Sequence, residues 1–138
     1  MHLEKGLALV ADFIKAIDSR PGFSVQSSPL SRNVFRVSGK LDCLLYIKGR
    51  SQDPLRWGVT ANVIERLRAQ KEPWAVILLY VSIKTGYLLS ASDVQHYVDG
   101  VWALGADGDF KPSPGGYLAI NEPFHSIDEF VQLLTIIV

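Results

Sequence analysis

Residues 74–81 read Trp-Ala-Val-Ile-Leu-Leu-Tyr-Val, an unbroken apolar run. A strand with one wet face alternates apolar and polar residues. A run without alternation needs cover on both faces, as in the centre of a sheet with helices above and below. The run is far too short to cross a bilayer as a helix. The rest of the chain must therefore supply sheet neighbours on both edges and helices on both faces.

The remaining pattern supplies both. Leu3, Leu7, Val10, Ile14 and Ile17 recur at spacings of four and three, so residues 2–18 are predicted to form a helix, which Arg20-Pro21-Gly22 ends. Residues 23–25 suit a short strand. Residues 33–38 and 41–48 are predicted to form an antiparallel hairpin turning at Gly39-Lys40. In that register Ser38 faces Leu41 and Asn33 faces Tyr46. Cys43, Leu45 and Ile47 share one face, and Asp42, Leu44, Tyr46 and Lys48 share the other. A polar loop, 49–58, leads to a helix over about 60–70, with Thr60 as its cap and Val63, Ile64 and Leu67 buried. A further strand is expected at 86–89. Ser90 with Asp93, and Ser126 with Glu129, have capping-box spacing and open two more helices. The last of these buries Phe130, Leu133 and Leu134. Residues 104–116 read as loop, and 116–120 as a small strand. No repeat or linker interrupts the 138 residues, so one three-layer α/β/α domain with a mixed central sheet, spanning 1–138, is the simplest architecture.

Charge sharpens the functional question. The net charge is zero, which speaks against a grossly basic nucleic-acid binder, but its distribution is uneven. Between Arg32 and Lys71 nine basic residues face three acids; from Asp93 onward seven acids face Lys111 alone. One basic region able to attract phosphate is a reading of this asymmetry, unless the two blocks mix on the folded surface. Cys43 is the only cysteine, so an internal disulfide and a four-cysteine zinc site are excluded, and a small buried side chain is its simplest role. No secretory leader is evident and no membrane partner is expected, so a cytoplasmic location follows by default.

The common catalytic motifs are missing. The chain has no P-loop, no GxGxxG after a strand, no HExxH and no GxSxG; His2, His96 and His125 lack metal-ligand spacing. The remaining signal is an order of elements. A helix, a hairpin ending in Tyr46-Ile47-Lys48, a basic loop, a helix and the buried run together resemble the PD-(D/E)xK nuclease-like superfamily over roughly residues 1–100. The resemblance implies a restriction-endonuclease-like core. It also implies Mg²⁺ held by carboxylates on the hairpin, with a lysine orienting water for phosphodiester hydrolysis.

Carried over residue by residue, Lys48 matches the lysine. Tyr46 stands where the second carboxylate belongs, and Asn33 where the first does. Asp42 shares a face with Lys48 but lies six residues away, roughly 20 Å along a straight strand unless the register differs. Glu65 on the following helix is the leading replacement ligand, with Asp42 or Glu4 assisting; each also suits an ordinary solvated acid. The candidate catalytic residues are thus Lys48, Glu65 and Asp42, and the candidate ligands for Mg²⁺ are Glu65, Asp42 and Glu4. Arg50, Arg56 and Arg66 are the candidate DNA or RNA contacts. Trp57 either stacks on a base or packs beneath the loop. Three functions stay open: a nuclease-like domain contacting DNA or RNA, a non-enzymatic module that pairs with itself or with another protein, and, on no more than a scatter of polar residues, a small-molecule enzyme with an unfamiliar site.

Overall fold

The computed structural model describes residues 2–138, with side chains from Gly6 onward. Helix α1 (His2–Asp18) leads into three antiparallel strands, β1 (Phe23–Ser27), β2 (Val34–Gly39) and β3 (Cys43–Arg50). Then come β4 (Val59–Thr60), α2 (Ala61–Arg68), β5 (Trp74–Tyr80), β6 (Ser82–Ser90) and α3 (Ala91–Gly100). β7 (Asp109–Phe110), a 3₁₀ turn (Gly116–Leu118) and α4 (Ile127–Ile137) complete the order. Five strands form one mixed sheet, β1-β2-β3-β5-β6, in which only β3 and β5 run parallel. β4 and β7 pair separately.

Residues 74–80 of the apolar run form β5, buried on both faces; Val81, expected to close the strand, instead lies outside it, 76 % exposed and at φ 67°. Val76 and Leu78 join a core with Val63, Ile64 and Leu67 of α2 and Val94 and Tyr97 of α3. Ala75, Ile77 and Leu79 join a second core with Val10, Phe13 and Ile17 of α1 and Phe130 and Leu134 of α4. Helices therefore cover both faces of a five-stranded mixed sheet. Each fully buried aliphatic side chain contributes about 2 kcal/mol, so the sheet centre is where sequence pattern and stability coincide. No helix among the described residues is long and apolar enough to cross a membrane.

Several expectations need correction. The hairpin register is one residue off: Val34, not Asn33, faces Tyr46, and Val37 faces Cys43. The cause is β1. Gly39 pairs with Phe23, so β2 runs through Gly39 and the turn moves to residues 40–42. Gly39 has φ +106°, and a Cβ there would stand 2.2 Å from the Gly22 carbonyl oxygen. Thr60 is the N-cap of α2 by backbone geometry, but its side chain caps nothing. Residues 116–118 form a 3₁₀ turn rather than a strand. Leu7 is 46 % exposed and Phe13 takes its place in the core; Leu133 is 37 % exposed. Both serine caps are present: Ser90 and Ser126 accept from the backbone N–H groups of Asp93 and Glu129. Cys43 is buried, and burial pushes its thiol up to about 11, so it is an inert side chain at neutral pH.

Candidate nucleic-acid interface

The carboxyl end of β3 turns from buried to half-buried between Ile47 and Lys48. There α1 crosses the strand backbone to backbone. A Cβ at Gly6 would lie 2.5 Å from the Gly49 carbonyl oxygen, and one at Gly49 equally close to that of Gly6. A glycine inside a helix costs about 1 kcal/mol relative to alanine. Here that cost permits the crossing, because any side chain would push α1 off the sheet. Beside the crossing lies a cleft of about 180 Å³, where Leu7 and Val10 of α1 meet Asn33, Lys48, Arg50 and Gln52.

Each polar lining residue has a local cause. Asn33 precedes β2, and its carbonyl accepts from Ile47 N–H at 2.9 Å, so it is fixed beside the strand end. Arg50 donates through Nε to the carbonyls of Pro54 (2.7 Å) and Gln52 (3.3 Å). These bonds fold the 51–54 segment back over the guanidinium. Burial lowers the pKa of Lys48, and the negative charge of Asp109 on β7 opposes that shift. A second groove, of about 460 Å³, continues along α1. It shares Leu7, Val10 and Asn33 with the cleft, and adds Lys15, Arg32 and one acid, Asp12.

Of the residues singled out from sequence, Lys48 and Arg50 come together in this cleft. The others do not. Glu65 is on the outer side of α2, ion-paired with Arg68 at 2.9 Å. Asp42 is exposed in the β2–β3 turn, at the opposite end of β3 from Lys48. Glu4 belongs to α1, but its side chain lies outside the described residues. Arg56 is exposed on the loop and does not line the cleft. Arg66 donates to the Leu30 carbonyl at 2.9 Å, tying α2 to the β1–β2 loop. Trp57 is a core residue: it is buried, its Nε1 donates to the Leu79 carbonyl at 2.9 Å, and it packs edge-on against Tyr80 and Tyr87. It offers no face to a base.

Tyr46 is also structural. Its ring is buried, its hydroxyl accepts from Thr60 N–H at 3.1 Å, and burial holds the phenol above its usual range. It thus fixes the residue that precedes α2, and offers no anionic ligand. Among the described residues no three His, Cys, Asp or Glu side chains gather to hold a metal, and the cleft lining contains no carboxylate. The described lining of the cleft therefore lacks the carboxylates that Mg²⁺, which requires oxygen ligands, favours.

Sequence reasoning passed over Asp109, Gln52 and the pair Gly6 and Gly49. Asp109 is brought to Lys48 by the two-residue pairing of β7 with β4, too short to leave a pattern. Gly6 alone left a trace, as a glycine within an otherwise regular helical stripe. Comparison with known proteins adds no assignment: no family model, no curated protein and no solved structure matches this chain.

Proposed function

We propose that this chain is a nuclease-like domain that contacts DNA or RNA through the cleft at the carboxyl end of β3, by binding rather than by metal-dependent hydrolysis. One observation carries the reading: Lys48 and Arg50, with Asn33 and Gln52, line a single cleft, and no acid stands among its described lining residues. A half-buried ammonium has lost part of its hydration, so a phosphate oxygen beside it recovers electrostatic energy in a medium of reduced dielectric. The Arg50 guanidinium, held by its Nε, presents its planar terminal nitrogens in a preset orientation. Arg32 and Lys15 extend the positive charge along α1. Further support comes from the order α1, the β2–β3 hairpin, α2, then β5, which matches the order of elements on which the nuclease resemblance rests.

The test is a titration of labelled duplex and single-stranded DNA and RNA at several salt concentrations, with and without Mn²⁺. Binding is expected to weaken with salt and to fall about tenfold in Lys48→Ala and in Arg50→Gln. Intact strands in the presence of Mn²⁺ are expected; cleavage dependent on the metal would refute the non-hydrolytic part of the reading. Absence of binding at low salt to all four ligands would refute the whole.

A further inference from the structure

A second surface, remote in sequence from the cleft, has the opposite character. Helix α4 buries Phe130 and Leu134 against the sheet. Yet Leu133 (37 % exposed), Ile136 (78 %) and Ile137 (37 %) form another apolar stripe on its outer side. Glu129, Leu133 and Ile137 are each four apart, so they stack along one side of the helix. Next to them runs the segment 120–123, with Ile120 53 % exposed. Between helix and segment lies a groove of about 320 Å³, lined by Ile120, Leu133 and Ile137 and by the carboxylates of Asp93, Glu122 and Glu129.

The charge of the groove is one-signed. No cation among the described residues lines it, and residues 112–138 contain no Lys or Arg. Asp93 is held by Ser90 N–H and Asn121 Nδ2, both at 3.0 Å. Glu122 and Glu129 form no ion pair among the described residues, and Glu122 is exposed. The adjacent edge of the sheet is not open to a visiting strand at mid-height, because Gly86 of β6 already exchanges hydrogen bonds with Phe124. An extended peptide could not add to β6 there, whereas a helix can lie in the groove with apolar anchors one turn apart.

We infer that the α4 groove docks a cationic amphipathic helix of a partner protein, its apolar face on Leu133, Ile136 and Ile137 and its lysines or arginines on Glu122 and Glu129. Apolar contact supplies the affinity, and the carboxylates select a basic partner and speed its approach. This inference is independent of nucleic-acid binding at β3.

The probe is a fluorescein-labelled 18-residue helix built from Leu and Lys, with Leu at i, i+3, i+4 and i+7. Its comparison peptide carries Glu in place of Lys. Anisotropy is read with the full chain at about 0.15 M salt. The Leu/Lys helix is expected to bind at least about tenfold more tightly than the Leu/Glu helix. Leu133→Ser with Ile137→Ser is expected to weaken it about tenfold. Glu122→Gln with Glu129→Gln, which leaves the apolar stripe intact and so guards against a folding artefact, is expected to weaken it several-fold and flatten its salt dependence. No binding of the Leu/Lys helix, equal binding of the two peptides, or binding indifferent to both double variants would overturn the inference. So would sedimentation showing self-association that the Leu133→Ser/Ile137→Ser chain loses, since a second copy would then occupy the groove.

Discussion

The end of β3 and the outer side of α4 are built on opposite principles. At β3 the charge is partly inside: Lys48 is half-buried, Arg50 is tied to its own loop, and the cleft exists because two glycine backbones touch. On α4 it is the apolar side chains that lie outside, and the charges beside them are carboxylates. The first region places a costly group where the fold must support it. The second exposes groups that the fold does not use. Changes at β3 should therefore trade binding against stability, while changes on the outer side of α4 should leave stability alone.

The largest contrast lies within α4 itself. Leu134 is buried and Ile136 is 78 % exposed, two residues apart on one helix. Leu134→Ala removes a packed side chain and leaves a cavity, so a loss of about 3 kcal/mol is expected in urea unfolding. Ile136→Ala is expected to stay within about 0.5 kcal/mol of the parent. A large loss from Ile136→Ala would show that the outer stripe is already packed within this chain, and the contrast between the two regions would collapse.

Next in size is Gly6→Ala. In an open helix this change stabilises by about 1 kcal/mol. At Gly6 the new methyl meets backbone, not a flexible side chain, so α1 must move. A net destabilisation of about 2 kcal/mol is expected from overpacking, together with loss of nucleic-acid binding as the cleft deforms. Gly100, near the end of α3, is the control: a Cβ there meets nothing within 4 Å, and Gly100→Ala is expected to be neutral or mildly stabilising. Equal effects at the two glycines would mean that the crossing does not hold the cleft together.

These contrasts also mark what the sequence could reveal. β5 was legible because eight apolar residues in a row have one good structural solution. The caps of α3 and α4 were legible because a serine accepts from the N–H three residues on, a local bond that at α3 the Asp93 side chain returns. The β2–β3 register was not, since it depends on β1 holding Gly39 opposite Phe23, an interaction outside the hairpin. Leu133 was misassigned because α4 is apolar on two sides, and periodicity alone cannot say which side meets the sheet. At the cleft, Lys48 and Arg50 were found from local pattern. Their neighbours Gly6 and Asn33 come from α1 and from the start of β2, and only the folded sheet brings them together. Glu65 was sought as a ligand, but an arginine one turn away on its own helix takes its charge.

The smallest expected effect tests the trade at β3 most directly. Burial lowers the pKa of Lys48 in the folded chain from its ordinary 10.5. Below the folded pKa both states carry the proton, and the folded state bears the cost of a half-buried charge. As pH rises from the folded pKa toward 10.5, the folded chain releases its proton first, the unfolded chain binds more protons, and stability rises. Lys48→Met keeps the packing and removes the charge. At pH 7 it is expected to be more stable than the parent by up to about 1 kcal/mol, with the difference shrinking in alkali. The thiol and phenols that also titrate there are common to both chains and cancel in the difference. Adding a saturating oligonucleotide at neutral pH should reverse the order, because the ligand binds the folded parent more tightly and stabilises it by mass action. A Lys48→Met chain that is less stable than the parent without ligand would show that the ammonium is already satisfied within the fold. The cleft would then hold a structural charge, like the ion pairs elsewhere on the surface, and its claim to bind phosphate would rest on Arg50 alone.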